Sequence, residues 1–370
     1  MSDFVPGLEG VVAFETEIAE PDKDGGSLRY RGVDIEELVG QASFSDVWGL
    51  LVDNSITPGL PPFNNLVLPV HSGDVRVDVQ AGLATLAPQL GFKPILDLDD
   101  TQIRDELAQT SVTALSYVAQ SARGDQTPVP QAEVDKGATA VEQFLLRWRG
   151  EVDPLQAKAL DAYWVSAAEH GLNASTFTAR VVASTGADVA AALSAAIGAM
   201  SGPLHGGAPT RVLHMVEDVE KTGDAEGYVR GILDRHERLM GFGHRVYRAE
   251  DPRARVLRRV ARELGSPRFE AAAALEQAAL KELRTRRPDR PIETNVEFWA
   301  ALILDLAAVP SPMFAAMFTC ARVAGWSAHV LEEKRTGRLI RPSARYIGPP
   351  TRPASSIAGW DQRVAVSGSS

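Results

Sequence analysis

The 370-residue chain has little of several features that would each define a class of protein. It contains one cysteine, Cys320, so no disulfide can form within it and no cysteine pair can hold zinc. Its net charge is −10 at pH 7, whereas a nucleic-acid-binding protein carries a basic surface. No stretch approaches the roughly eighteen uninterrupted apolar residues that a membrane-spanning helix needs, and residues 1–20 lack the pattern of a signal peptide. These absences argue against a disulfide scaffold, a nucleic-acid binder and a membrane protein, and they predict a cytoplasmic protein.

Two common kinds of site are also missing from the pattern. No glycine-rich phosphate-binding loop follows a predicted strand, and no two histidines have the spacing of a helical zinc motif. We therefore expect no metal ion, with a site built from distant histidines as the alternative. The seven histidines of the chain are His71, His170, His205, His214, His236, His244 and His329. Three of them, His170, His205 and His244, stand beside glycines at predicted helix junctions, and the other four have contexts typical of structural residues.

The hydrophobic pattern predicts a mostly helical protein. From residue 73 onward, apolar residues recur at spacings of three and four, which indicates one helix after another. The N-terminal region differs, because residues 11–18 and 27–32 are typical of two short strands around a turn. The fold class is therefore predicted to be all-α with a small N-terminal β-hairpin. The length suggests two domains or one large one.

Residues 240–254, M-G-F-G-H-R-V-Y-R-A-E-D-P-R-A, combine a histidine with arginines beside a predicted helix start. Two glycines allow the backbone to turn tightly before His244. Asp251 has the character of an N-cap with a proline after it, which places Arg253 at a helix N-terminus, where anions are favoured. This pattern predicts a site for an anionic substrate. A surface loop with solvated charges is the alternative.

Three further charged residues could complete such a site. Glu297 follows two capping residues and falls in the first turn of a predicted helix, a position that a purely structural glutamate also favours. Arg322 lies within a long apolar helix, where its charge needs a partner or a ligand. Arg341 precedes a proline in an extended segment. Two or three arginines bind a dicarboxylate well, because each guanidinium can fork onto a carboxylate.

Five motifs, in order along nearly the full chain, resemble those of the citrate synthase family. They are G-L-E-G-V-V-A with L-R-Y-R-G, E-H-G-L-N-A-S-T, S-G-P-L-H-G-G-A-P, M-G-F-G-H-R-V-Y-R and R-P-S-A-R-Y-I-G. The length is similar to the short, dimeric type of Gram-positive bacteria and archaea. The resemblance implies a helical homodimer in which a large domain (1–206 and 311–370) is closed over the active site by a small domain (207–310). It also implies condensation of acetyl-CoA with oxaloacetate and hydrolysis of citryl-CoA to citrate and CoA, a step of the tricarboxylic acid cycle that uses no prosthetic cofactor.

The resemblance assigns the catalytic roles to three residues. His205 would polarise the thioester carbonyl, and His244 would bind the ketone oxygen of oxaloacetate. The family's catalytic base is an aspartate in a P-N-V-D-type motif, and the matching residues here are T-N-V-E, so the base would be Glu297. Its side chain is longer by one methylene, and a misplacement of about 1 Å can cost about a hundredfold in rate. We nevertheless expect an active enzyme.

The resemblance also assigns five binding residues. His170 matches a histidine that binds oxaloacetate, and Arg253 and Arg322 match the arginines that bind its carboxylates. Arg341 matches an arginine that one subunit supplies to the site of its partner, and Arg248 matches one that contacts the phosphates of CoA. Two alternatives remain open: a 2-methylcitrate synthase using propionyl-CoA, or a weakly active relative that binds these ligands in a regulatory or carrier role.

Overall fold

The computed structural model describes residues 4–22, 24, 26–202, 205, 209–244, 247, 249–289 and 292–360. Contacts between Cα atoms divide the chain into two units, Met1–Arg338 and Leu339–Ser370. In the second unit, residues 339–360 contain one 3₁₀ turn, Ala354–Ser356, and no α-helix or strand. The division into a large and a small domain at residues 206 and 310 stays a prediction.

Within its described residues, the first unit is built mainly of α-helices, which confirms the predicted fold class. In chain order the helices are α1 (Ile35–Leu38), α2 (Phe44–Asp53), α3 (Val75–Ala84), α4 (Leu86–Leu90), α5 (Asp100–Arg123), α6 (Gln131–Val134), α7 (Ala140–Arg149), α8 (Pro154–Ala167), α9 (Ala174–Ser184), α10 (Val189–Met200), α11 (Pro209–Thr222), α12 (Ala225–Asp234), α13 (Pro252–Glu263), α14 (Phe269–Arg286), α15 (Val296–Leu306) and α16 (Phe314–Thr336).

Most of the longer helices begin at a side chain that caps the free backbone N–H groups of the first turn. Reciprocal capping boxes start three of them: Ser43 with Asp46 at α2, Asp99 with Gln102 at α5, and Thr139 with Glu142 at α7. Asparagine or aspartate caps seven others: Asp74, Asp153, Asn173, Asp188, Asp224, Asp251 and Asn295. These caps fix where α9, α13 and α15 begin, and three candidate site residues, His170, Arg253 and Glu297, lie at or just before those starts.

The N-terminal β element is a three-stranded antiparallel sheet of β1 (Ala19–Asp22), β2 (Ser27–Tyr30) and β3 (Val33–Asp34). Its register pairs Ala19 with Tyr30 and Arg29 with Asp34. The prediction of a strand over residues 11–18 was wrong, since that segment has no regular structure. Its polar groups bind a helix instead of a strand, because the Thr16 hydroxyl and the backbone N–H of residue 17 both donate to the Glu332 carboxylate of α16.

Helix α16 lies at the centre of the first unit and is buried over most of its length. It packs against α2, α5, α8, α9 and α10. A helix that is apolar on all sides is stable only inside a core. Trp326 of α16 is fully buried, as are Trp48 of α2 and Trp164 of α8. Each large side chain so buried stabilises the fold by about 1.5–3 kcal/mol. This core is the rigid support for Arg322, which α16 carries.

The helices from α11 to α15 pack on one another and reach the core through α8. Helices α13 and α15 pack against each other, and both contact α8. Because α8 ends three residues before His170, this packing brings the starts of α13 and α15 close to His170. Within the described residues, no helix is both long enough and apolar enough to cross a membrane.

Candidate active site

His170 lies in the short connection between α8 and α9. The Tyr30 hydroxyl of β2 holds the end of α8, with the carbonyl oxygens of residues 165, 166 and 169 at 3.1–3.2 Å. The same hydroxyl accepts a hydrogen bond from the Glu169 backbone N–H at 3.2 Å. On the other side, Asn173 caps α9 by accepting from the Thr176 N–H. The backbone on both sides of His170 is therefore fixed, and the predicted junction of two helices is confirmed.

The loop that carries His244 is fastened to the start of α15. Gly241 and Gly243 have φ angles of 83° and 84°, a backbone conformation that other residues rarely adopt. The Asn295 backbone N–H donates to the Gly241 carbonyl at 2.9 Å, and the Asn295 side chain donates to the Gly243 carbonyl at 2.8 Å. Asn295 also caps α15 by accepting from the Glu297 N–H at 3.0 Å. One asparagine thus joins the loop of His244 to the helix of Glu297.

Asp251 connects three parts of the site. Its fully buried carboxylate holds the Arg253 guanidinium at two points, with Arg253 Nε at 3.0 Å and Nη2 at 2.8 Å, and it accepts from the Arg253 backbone N–H at 3.0 Å. It accepts a further hydrogen bond from the Val296 N–H, the first residue of α15, at 3.0 Å. His244 Nε2 lies 3.9 Å from the same carboxylate. The predicted N-cap role of Asp251 is confirmed, and the carboxylate also orients the predicted substrate arginine.

His170, His244 and Tyr247 form a compact group. Tyr247 Oη lies 2.9 Å from His170 Nε2. The centroids of the two imidazole rings are 5.3 Å apart, and the Tyr247 ring lies 5.3 Å from His170 and 5.0 Å from His244. The Tyr247 backbone N–H donates to His244 Nδ1 at 3.2 Å, while His244 Nε2 lies 3.3 Å from Arg253 Nη2. The structure therefore brings together three of the predicted residues, His170, His244 and Arg253.

Burial and nearby arginines keep both histidines of this group neutral. Burial, aided by the charge of Arg253 and opposed by Asp251, lowers the pKa of His244 to about 4. Burial, with Arg253 and His244 nearby, lowers the pKa of His170 well below its ordinary value. Both nitrogens of His244 face N–H groups, which also disfavours the imidazolium. A neutral histidine beside a fixed arginine can donate a hydrogen bond to an anion without holding a permanent charge.

His205 and Arg322 both lie near the ring of Phe318. The His205 ring is 6.2 Å from the Phe318 ring, and the Arg322 guanidinium lies 4.7 Å from the centroid of the same ring. His205 Nε2 lies 2.8 Å from the Ser175 hydroxyl, which also accepts from Trp326 Nε1 at 3.1 Å. The Ser175 hydroxyl also donates to Asn173 Oδ1 at 2.9 Å, so its one hydrogen has two candidate acceptors, Asn173 Oδ1 and His205 Nε2. Burial, with the charge of Arg322 as a second cause, lowers the pKa of His205.

Arg322 is 1% exposed and donates through Nε to the Ala167 carbonyl at the end of α8. Burial lowers its pKa, and the carboxylate of Glu169 opposes that effect. Glu169 is fully buried beside Gly325, one turn along α16 from Arg322, where an added Cβ would lie 2.0 Å from Glu169 Oε2. Its Oε1 lies 3.3 Å from His329 Nε2, without the alignment of a hydrogen bond. His329, which the sequence indicated as structural, is thus part of the charge environment beneath the site.

Glu297 lies in the first turn of α15, as predicted, and is partly buried. Burial raises the pKa of its carboxyl group, against the charges of Arg238 and Arg253. A carboxylate whose pKa is raised is a stronger base than one in water, which suits removal of a weakly acidic proton.

Two predicted site residues cannot be placed with the others. Arg248 lies outside the described residues. Arg341 belongs to the second unit, where its side chain is exposed, and its role stays a prediction. Conversely, the sequence did not single out Tyr247 or Ser175. Tyr247 lies three residues after His244, a spacing that could have suggested a contact; Ser175 lies in the motif of His170 but has no distinguishing neighbour.

Comparison with known protein families gives a match over most of the chain. The family described as "Citrate synthase, C-terminal domain" matches residues 7–66 and 68–343. A Mycobacterium tuberculosis protein named "Putative citrate synthase 2" is 68% identical over 362 residues, 97% of each chain. The citrate synthase of Haloferax volcanii is 35% identical over 92% of this chain and 95% of its own. The 2-methylcitrate synthase of Shewanella oneidensis is 31% identical over 95% of this chain and 97% of its own.

Solved structures agree with these relatives. The citrate synthase of Thermoplasma acidophilum, solved as a ternary complex with carboxymethyl coenzyme A and oxaloacetate, superposes with a TM-score of 0.77 at 25% identity, covering 95% of this chain and 98% of that one. The citrate synthase of Pyrobaculum aerophilum has a TM-score of 0.74 at 29% identity and covers 95% of both chains. The chain belongs to the citrate synthase family and is an enzyme of that acyltransferase type.

Proposed function

We propose that the enzyme condenses acetyl-CoA with oxaloacetate and then hydrolyses the citryl-CoA thioester to citrate and CoA. The observation that carries this proposal is the meeting of His170, neutral His244 and Arg253 in one buried group, with a partly buried glutamate at the start of the adjoining helix. A dicarboxylate with a reactive ketone requires donors for its carboxylates and its ketone oxygen. The thioester that attacks it requires a base to remove a proton from carbon.

The protonation of His244 suits a ketone oxygen. Nδ1 accepts from the Tyr247 N–H, so the proton of the neutral ring belongs on Nε2. Nε2–H then lies 3.3 Å from Arg253 Nη2, a second donor, near the buried Asp251 carboxylate. An oxygen bound there would accept from both. The ketone oxygen of oxaloacetate, which becomes an alkoxide as the new carbon–carbon bond forms, gains most from such a pair of donors.

The first chemical step is loss of a methyl proton from acetyl-CoA. Glu297 takes that proton while His205 donates a hydrogen bond to the thioester oxygen, where negative charge develops. His205 can donate from Nδ1 when the Ser175 hydroxyl turns its hydrogen from Asn173 Oδ1 to His205 Nε2. The enol carbon then attacks the ketone carbon, and His244 supplies the proton that the alkoxide takes up. Water finally attacks the thioester, which releases CoA as a thiol and leaves the third carboxylate of citrate.

Arg253 and Arg322 are proposed to bind the two carboxylates of oxaloacetate, with His170 as a further donor. Arg248 is proposed to contact the phosphates of CoA. The enzyme would act as a homodimer in which Arg341 completes the neighbouring site, and residues 207–310 would close over the substrates. A cytoplasmic location and a role in the tricarboxylic acid cycle follow from the same proposal.

A second candidate is 2-methylcitrate synthesis from propionyl-CoA, which the relative from Shewanella oneidensis favours. One methylene in an acyl pocket is worth about 1–3 kcal/mol, so some activity with both thioesters is expected. The 68% identity to a protein named as a citrate synthase supports acetyl-CoA as the preferred substrate.

CoA release in the presence of oxaloacetate tests the function directly. We expect turnover with acetyl-CoA to exceed turnover with propionyl-CoA, and we expect Glu297→Gln to lose about a hundredfold or more in kcat, since it removes the base. Glu293→Gln is the matched control, because Glu293 pairs with the exposed Arg284 at 3.0 Å. Faster turnover with propionyl-CoA would favour the second candidate. Absence of turnover with both thioesters, together with retained binding of oxaloacetate, would favour a regulatory or carrier protein.

The dimer is tested separately. Sedimentation should give twice the mass of the 39.7 kDa chain. Arg341→Ala should raise the KM for oxaloacetate, whereas Arg352→Ala, an exposed arginine of the same unit, should not. A monomeric active enzyme, or an unchanged KM in Arg341→Ala, would remove Arg341 from the neighbour's site.

A further inference from the structure

Tyr247 contacts both histidines of the candidate site, although nothing in its sequence position marks it as functional. It is 5% exposed, its hydroxyl lies 2.9 Å from His170 Nε2, and its backbone N–H lies 3.2 Å from His244 Nδ1. Within the described residues, the His170 contact is its one side-chain hydrogen bond. One residue therefore sets the hydrogen bonding of two catalytic-site rings at once.

Both contacts bear on which ring nitrogen carries the proton. The backbone N–H occupies His244 Nδ1 and leaves the proton on Nε2. Oxaloacetate offers only oxygen acceptors, so a histidine that binds it must also present an N–H. With the His170 proton on Nε2, the nitrogen that faces Tyr247, the tyrosine oxygen accepts from it while no ligand is bound. When the substrate binds, one of its oxygens would replace the tyrosine oxygen as the acceptor of this hydrogen bond.

We propose that Tyr247 is a positioning residue whose hydroxyl stands in for a substrate oxygen on His170, keeps that ring oriented while the site is empty, and is displaced when a 2-oxo dicarboxylate binds. This inference rests on the proposed function, since it assumes that the site binds oxaloacetate. The aromatic ring has a separate task. It packs at 5.0–5.3 Å from both imidazoles and keeps water away from them. Burial raises the pKa of the tyrosine, so the hydroxyl stays neutral across the physiological range.

Removing the hydroxyl and removing the ring should therefore have opposite effects on binding. In Tyr247→Phe the substrate no longer has to break a hydrogen bond, so oxaloacetate should bind about 2- to 10-fold more tightly, the range expected for one neutral hydrogen bond. In Tyr247→Ala both rings lose their packing partner, and binding should weaken about 10-fold. A side chain with a merely structural role would weaken binding in both variants.

Isothermal titration calorimetry of the full-length protein with oxaloacetate, without acetyl-CoA, measures the Kd separately from turnover. Tyr228→Phe in α12 is the matched control and should leave the Kd unchanged. Thermal melting without ligand shows that each variant is folded. Unchanged or weaker binding by Tyr247→Phe, with normal binding by the unsubstituted protein, overturns the role of Tyr247 alone. Absence of binding by the unsubstituted protein overturns the proposed function, and the role of Tyr247 with it.

Discussion

Replacing Asp251 by asparagine tests how much one buried carboxylate contributes to the site. Its Oδ1 accepts from the backbone N–H and Nε of Arg253, and its Oδ2 accepts from Arg253 Nη2 and the Val296 N–H. An asparagine keeps one oxygen and replaces the other with an NH₂ group. That group would face N–H donors in either orientation, while the buried Arg253 would lose its counter-charge.

Breaking a buried ion pair by removing one partner costs about 3–5 kcal/mol. For a chain of this size we expect the melting temperature of Asp251→Asn to fall by about 5–10 °C, measured by circular dichroism at one scan rate. Asp100→Asn is the control for the same change, because Asp100 pairs with Arg335 with both side chains nearly half exposed. An exposed pair contributes about 0–1 kcal/mol.

The pH dependence gives an independent check. Burial alone would raise the pKa of Asp251, but the charge and hydrogen bonds of Arg253 bring it below its ordinary value. A depressed pKa means that the carboxylate stabilises the fold above the pKa of an unfolded aspartate, about 3.9, and that this stabilisation is lost as the pH falls below it. The gap between native protein and Asp251→Asn should be constant from pH 5 to 8 and should shrink below about pH 4. A drop in melting temperature no larger than that of Asp100→Asn would refute the reasoning.

Two further predictions concern α16 and the proposed base. Gly325→Ala should lower the melting temperature although alanine favours helix, because the new Cβ would lie 2.0 Å from Glu169 Oε2 and 2.6 Å from the Ala168 carbonyl. The control, Gly231→Ala, should not lower it, because its Cβ would meet only the flexible end of Arg235 at 3.4 Å. Equal effects of the two substitutions would contradict the close approach at Gly325. Since burial raises the pKa of Glu297, kcat/KM should fall as the pH decreases, with an apparent pKa above that of an ordinary glutamate, about 4.3. This fall on the acid side should be absent from the residual activity of Glu297→Gln. The same fall in both proteins would assign it to another group.

The helices could be predicted from the sequence because capping residues and apolar spacing lie within a few neighbouring residues. Asp251 before a proline and Asn295 two residues before Glu297 each cap a helix as their sequence context indicated. The strand over residues 11–18 failed for the opposite reason. Its alternation suited a strand, but its hydrogen bonds go to Glu332, more than three hundred residues later in the chain. A contact so distant in sequence leaves no trace in a short window.

The site residues also divide into those that a local sequence motif identifies and those that only contacts distant in sequence bring in. The motifs named His170, His244 and Arg253, and the structure brings these three together. They did not indicate that a β-strand tyrosine, Tyr30, holds the backbone before His170, or that Tyr247 packs against both histidines. Those contacts depend on how β2 and α13 pack against α8, and packing is a property of the whole core.

The two proposed carboxylate-binding arginines are held in different ways, and this decides which has more to offer a ligand. Arg253 gives Nε and Nη2 to Asp251 in a two-point pair. Arg322 gives only Nε, to the Ala167 carbonyl, and within the described part of the chain both of its terminal nitrogens lack a hydrogen-bond partner. The charge of Glu169 opposes the lowering of the Arg322 pKa by burial, but Glu169 makes no hydrogen bond to the guanidinium. A fork of free N–H groups on a buried cation binds a carboxylate at two points. We therefore expect Arg253 mainly to orient and polarise the substrate next to His244, and Arg322 to supply the donors that anchor a carboxylate.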